Sequence, residues 1–231
     1  MFLELIQRLS AQVPSQCAVC HTWPSRPVCE ACVSSFAQPV PRCKTCAIAV
    51  PEGIQHCGEC VLHPPVLDQC LAAVDYAYPW SRLITEFKFR EHTAWASTFA
   101  TLMRSAPWVE PALEAADVIV PMPLFDLRLQ SRGYNQSLEL ARALAPHKTV
   151  HSLLLRITDT PPQSSLSRKD RLRNVQDAFA VDPLKAATLH GKRAVLVDDV
   201  MTSGASLHSA ANALRSAGAA HITALVFART A

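Results

Sequence analysis

The sequence has no run of about eighteen consecutive apolar residues, so no membrane-spanning helix is expected. It also lacks a basic stretch ahead of its first apolar residues, and Glu4, Gln7 and Arg8 interrupt the run in MFLELIQRLSAQVPSQC. A signal peptide is therefore not expected, and cytoplasmic localisation is. Phe2, Leu5, Ile6 and Leu9 recur at helical spacing and predict a short amphipathic helix packed on the protein, with membrane association as the alternative. Charge is sparse, at 18% of 231 residues against 49% hydrophobic, which argues for a folded core rather than disorder. A net charge of +3 is too small to indicate nucleic-acid binding by itself. Low-complexity segments are absent. Glycines number only six, while the seventeen prolines cluster where elements are expected to meet.

Cysteine is what the chain has in abundance. Eight of nine cysteines form four Cys-x-x-Cys pairs: Cys17 and Cys20, Cys29 and Cys32, Cys43 and Cys46, Cys57 and Cys60. Two intervening residues make the tight turn that aims both sulfurs at one ion, and two such turns complete a four-thiolate site. Sequential pairing predicts two structural zinc ions, although other pairings of the turns fit the spacing. A disulfide framework is disfavoured because nothing indicates secretion. A redox centre is disfavoured because four copies stand outside any βαβ pattern. His21 and His56 flank ligands and are read as bystanders, and Cys70 as a buried small apolar residue. With so little apolar core, such a module would draw about 10 kcal/mol or more per site from its metal.

Composition changes after Pro64 and Pro65, which suggests a zinc-ribbon module with its leading helix over residues 1–66 and a second domain over 67–231. Residues 71–78 read as a strand or hairpin arm, Trp80 to about Ser105 as two helices, and 117–120 as a buried strand entering a Pro-Met-Pro loop. A helix is expected over about 136–145 with Asn135 as N-cap, and a strand near 149–155. Strands at Ala194–Asp198 and Ile222–Ala228 flank a helix from about Ala205 to Ala217 that Gly218 would end. The expected class is α/β, a mostly parallel sheet with flanking helices.

The most informative segment is AVLVDDVMTSGASL, residues 194–207. Ligands of open α/β sheets bind outside the carboxyl ends of strands. A helix N-terminus offers N–H groups and a positive dipole end to phosphate. Thr202, Ser203 and Ser206 add hydroxyl donors, and Gly204 permits close backbone approach. Asp198 and Asp199 can accept hydrogen bonds from ribose hydroxyls. The pattern fits a 5-phosphorylated ribose. It is neither a Walker loop, since no Gly-Lys-Ser/Thr follows, nor a G-x-G-x-x-G dinucleotide turn.

That segment resembles the PRPP-binding motif of type I phosphoribosyltransferases. Three further stretches narrow the resemblance to the ComF/GntX family: Val120-Pro121-Met122-Pro123-Leu124, Arg132-Gly133-Tyr134-Asn135-Gln136, and Thr160-Pro161-Pro162-Gln163 with Leu166, Arg171, Asn174, Ala178 and Phe179. The paired ribbons belong to the same pattern, so the resemblance spans the chain. Tyr134 stands where Phe is usual, and Ser206 where Thr is. The resemblance implies binding of PRPP with magnesium: ribose hydroxyls on Asp198 and Asp199, and the phosphate on the stretch Val200, Met201, Thr202, Ser203, Gly204, Ala205 and Ser206. In related enzymes pyrophosphate leaves as a nitrogen base attacks C1 of the ribose, and magnesium neutralises the leaving group.

The loop at 120–124 would wall the pyrophosphate site, and Arg132, Arg168 and Arg171 would meet phosphate. The segment 156–177 holds Arg156, Arg168, Lys169, Arg171 and Arg173 and reads as a lid over an anion or as a solvated charged face. Lys88 and Arg90 match the family's Lys-Phe/Tyr signature with no role assigned and a solvent-facing position as the plain reading. Two functions stand open: a phosphoribosyltransferase with unidentified acceptor, linked through the family to DNA uptake and natural transformation, or a non-enzymatic protein that senses PRPP or handles single-stranded DNA alongside other competence proteins. In the second, Trp80, Trp95 or Trp108 would stack bases, unless they belong to the core.

Overall fold

The computed structural model describes residues 15–89, 93–158 and 178–231. The expected N-terminal helix, Arg90, and the charged stretch holding Arg168, Lys169, Arg171 and Arg173 lie outside these residues. The chain divides into two compact units, Met1–Gln38 and Pro39–Ala231. The change of composition at 66/67 therefore falls inside the second unit.

In the first unit a bridge joins Ser15 and Ser25. Helix α1, Glu30–Phe36, starts at Cys29, whose sulfur accepts from the Cys32 N–H. Among the described residues of this unit, the buried apolar ones are Cys17, Val19, Val28 and Cys32.

The second unit begins with two cysteine turns and the short helix α2, Gly58–Leu62. A four-stranded sheet follows, built from β1 (Gln69–Asp75), β2 (Val118–Pro121), β5 (Arg193–Met201) and β6 (His221–Arg229). Its order is β1-β6-β5-β2 and every pairing is parallel. A parallel sheet needs cover on both faces, which explains why β5 and β6 read as near-continuous apolar runs.

Alternate residues serve opposite faces. Leu196, Ala224 and Val226 pack with Leu207, Ala210, Ala211 and Leu214 of α8, Ala205–Ser216. Phe227 points the other way, stacking on Phe99 at 4.0 Å and meeting the edge of Trp80 at 5.7 Å. Those rings come from α3 (Trp80–Phe89) and α4 (Trp95–Ser105). Trp80, Leu83, Ile84 and Phe87 form the buried stripe of α3, at the i, i+3, i+4, i+7 spacing of an amphipathic helix. Trp80 and Trp95 are thus core residues rather than base-stacking platforms, and Trp108, just before α5 (Val109–Ala115), is exposed.

The strand expected near 149–155 resolves, after a 3-10 turn at Pro146–Lys148, into one bridge from Thr149 to Ile119 and the short strand β3, Leu154–Arg156. The Thr149 hydroxyl donates to the carbonyls of Ala141 and Ala145, which ties this residue to the preceding helix. Strand β3 pairs antiparallel with β4, Phe179–Val181, as a separate two-stranded sheet. Helices α6 (Asp126–Arg132) and α7 (Gln136–Leu144) follow the β2 loop. Among the described residues no helix is long and apolar enough to cross a membrane.

Candidate phosphoribosyl site and cysteine centres

Strand β5 continues beyond its apolar stretch and carries both acids within the ladder. Asp198 pairs with Val226, and the register runs on through Val200 with Ala228 and Met201 with Arg229. Side chains therefore alternate, and the two carboxylates meet different partners. Asp198 Oδ1 accepts from the Ser137 hydroxyl at 2.8 Å and from the Asp199 N–H at 2.9 Å. Asp199 Oδ2 lies 2.8 Å from Lys88 Nζ, with the carboxylate side chain only 8% exposed. Burial, reinforced by the Asp199 charge, pushes the Asp198 carboxyl up to about 6, against the opposing pull of Ser137 and Lys88. Burial alone would lower the Lys88 ammonium, but the Asp199 carboxylate outweighs it and raises the group.

The Arg132–Ser137 stretch is the frame around this pair. Asn135 Oδ1 caps α7 by accepting from the N–H groups of Ser137 and Leu138, while its Nδ2 donates to the Met122 carbonyl at 3.0 Å. One side chain thus starts the helix and pins the Pro-Met-Pro loop, which Met122 N–H also ties to the Val197 carbonyl. Gln136 is buried, donates to the Lys88 carbonyl at 3.4 Å and accepts from Arg132 at 3.1 Å. Arg132 in turn lies over the Phe89 ring, 5.2 Å from its centroid.

Past Met201 the chain turns through Thr202, which is exposed, and Ser203 into α8. Ser203 Oγ accepts from the Ala205 N–H at 3.4 Å. Gly204 begins the helix at φ +78, where L residues are strained, and an added Cβ there would come within 2.4 Å of Met201 Cε. The result is a tight turn whose hydroxyls and first-turn amides gather at the carboxyl end of the sheet, beside the acid pair.

The eight paired cysteines form two groups, Cys17, Cys20, Cys29 and Cys32, and Cys43, Cys46, Cys57 and Cys60. In each, all four sulfurs lie within 4.8 Å of one another. Cys17–Cys32, Cys20–Cys29 and Cys46–Cys57 sulfurs are 3.8, 3.6 and 3.7 Å apart. A tetrahedron with bonds of about 2.3 Å to zinc has edges of about 3.8 Å, so these separations fit that ion and are far too long for a disulfide. The sequential pairing is the one observed. Backbone N–H groups add to the fit, with Cys29 N donating to Cys17 Sγ and Cys57 N to Cys43 Sγ. Burial raises both thiols, yet backbone N–H groups bring Cys17 down to about 6, and the Thr45 hydroxyl with backbone N–H groups brings Cys43 to about 5, whereas burial raises Cys32, Cys46 and Cys60. His21 and His56 belong to neither group.

Comparison with known proteins bears on this geometry. Residues 100–231 match the phosphoribosyl transferase domain. Competence protein F of Haemophilus influenzae is 32% identical over 173 residues, covering 71% of this chain and 74% of that protein. DNA utilization protein YhgH of Escherichia coli is 31% identical over 175 residues, covering 72% and 74%. Competence protein ComFC of Bacillus subtilis is 34% identical over 103 residues, covering 45% and 40%. The chain belongs to the ComF family.

Within this ComF-family chain the structure brings together Asp198, Asp199, the 120–124 loop and the Thr202–Ser206 turn. Arg132 stands beside them, engaged with Gln136, and Arg168 and Arg171 lie outside the described residues. Two participants went unassigned from sequence. Lys88 is not a solvent-facing cation but the partner of Asp199, and Ser137 is the donor to Asp198. The Lys-Phe signature at 88–89 was the available signal for the first. Ser137 had none beyond its place next to Gln136. Cys70 is buried as expected, and its Sγ approaches Met201 Sδ at 3.5 Å.

Proposed function

We propose that this protein binds PRPP with magnesium at the carboxyl end of β5. The carrying observation is the acid pair inside the strand, held by Ser137 and Lys88, directly ahead of the hydroxyl-rich turn that opens α8. In this reading Asp198 and Asp199 take the ribose hydroxyls, residues Val200 to Ser206 take the 5-phosphate, and Arg132, Arg168 and Arg171 meet phosphate oxygens. The hard carboxylate oxygens suit magnesium, which when bound neutralises the diphosphate as it leaves. The protein's own part is to fix the sugar and supply donors to phosphate. Zinc in the two cysteine groups is structural, because four thiolates leave no open position. The names of the curated relatives support a role connected with DNA uptake.

The test is calorimetric titration of PRPP with magnesium into the zinc-loaded protein. Asp198→Asn/Asp199→Asn should weaken binding by about 2 kcal/mol, roughly thirtyfold, through loss of charged acceptors. Absence of binding to the wild type would overturn the reading. A pH profile adds a second check. The Asp198 carboxyl is raised to about 6, so it is ionised at pH 7 and largely protonated at pH 5. Affinity should fall with pH through that value, by about tenfold per unit below it at the limit. The ligand's phosphates titrate in the same range, so the drop is measured against Asp198→Asn, which lacks this component.

Single-stranded DNA handling is the second reading, favoured by the relatives' names and by the exposed Trp108. That ring shares its surroundings with Gln69, Arg193 and His221, which begin β1, β5 and β6. It therefore sits at the end of the sheet opposite the acid pair, and stacking there would not use the phosphate turn.

A further inference from the structure

Arg229, the last residue of β6, is 8% exposed. Its Nε donates to the Cys46 carbonyl at 2.8 Å. Its Nη1 reaches the carbonyls of Thr202 at 2.6 Å, Thr230 at 2.5 Å and Met201 at 3.3 Å. Among the described residues no carboxylate lies within ion-pair distance of it. Nη1 also reaches the Thr230 hydroxyl at 3.3 Å. A buried cation satisfied only by neutral oxygens is costly unless several dipoles converge on it, and here, besides its neighbour Thr230, they come from two separate places. Cys46 belongs to the second cysteine centre. Met201 and Thr202 lead into the turn before α8.

A second link runs parallel to the first. The Cys70 N–H donates to the Lys44 carbonyl, within the Cys43–Cys46 turn, at 2.7 Å, and the Cys70 sulfur contacts Met201. The charges are also ordered. With zinc bound, the second centre would carry a net charge of −2, beside the guanidinium, with the turn before α8 on its other side.

We infer that Arg229 is a positioning residue that ties the second cysteine centre to the Met201–Ser203 turn, so that the shape and positive potential of this turn depend on that centre and not on the first. The meaning given to the turn rests on the phosphoribosyl reading, whereas the mechanical link does not. A planar fork is required, since a lysine ammonium cannot span carbonyls on two sides.

Hydrogen exchange on the full zinc-loaded chain tests this without ligand. Arg229→Lys should speed exchange of the amides at 200–206 by about tenfold, the effect of losing a charge-assisted contact, with the centres of β1 and β5 still protected and two zinc ions retained. Cys17→Ser, which opens only the first centre, should leave that segment at its wild-type rate. PRPP affinity should then follow the exchange, about tenfold weaker in Arg229→Lys. Unchanged exchange at 200–206 in a folded Arg229→Lys chain would overturn the inference, as would equal acceleration by Cys17→Ser. Should Arg229→Lys not fold, Cys70→Ala severs the second link, and it should raise exchange at 200–206 about threefold; no rise overturns the inference. A wild type that does not bind PRPP removes the phosphoribosyl reading, and the exchange comparison still decides the link.

Discussion

Cys29→Ser should unfold the first unit while the parallel sheet persists. Cys29 is a candidate metal ligand and also starts α1, its sulfur accepting from the Cys32 N–H. Four buried apolar residues, two of them cysteines, are all the described part of this unit has to oppose chain entropy. A structural zinc contributes on the order of 10 kcal/mol, against total stabilities of about 5–15 kcal/mol for whole domains. Removing one thiolate should therefore cost the unit its fold outright. Metal analysis should fall from two zinc ions per chain to one, and amides between 15 and 38 should lose protection while β1, β5 and β6 keep theirs. Full protection at 15–38 with one zinc would mean that something other than metal holds this unit.

Lys88→Met should be the most damaging single change around the acid pair. It leaves Asp199 buried without its cation, and removes the positive charge that offsets the repulsion between Asp198 and Asp199. Breaking one side of a buried pair costs about 3 kcal/mol, well above the median for exposed pairs. Urea unfolding at pH 7 should show that loss as a lower midpoint at unchanged slope. Lys88→Met/Asp199→Asn should recover much of it, because the stranded charge goes too. Equal stability of Lys88→Met and wild type would show that water already screens Asp199.

Lys88 also marks where sequence reading ran out. Cysteine spacing of two residues is a local geometric statement, and it carried through to two four-sulfur groups. The β5–α8 segment was legible for the same reason: an apolar run, two acids and a hydroxyl-rich turn are consecutive. Asn135 as a cap was local as well. Lys88 with Asp199 and Ser137 with Asp198 join segments 111 and 61 residues apart, and no periodicity records such a meeting. The extent of β5 was hidden differently. Its apolar pattern stops at Val197, yet the neighbouring strand supplies partners as far as Arg229, so the ladder carries the acids along. Near Thr149 the helix end claimed a residue that β-propensity assigned to a strand.

That continuation of β5 has a consequence for selectivity. Asp198 is paired to Val226 of β6 and its carboxylate is held by the Ser137 hydroxyl, while the Asp199 carboxylate is held by Lys88, so both acceptors are ordered before a sugar arrives. Under the proposed phosphoribosyl reading, a ribose bound there would pay little ordering cost at these two positions. A deoxy sugar, lacking one hydroxyl, would leave an immobile acceptor facing nothing, and rigid recognition of this kind penalises the missing group more heavily than it rewards the present one.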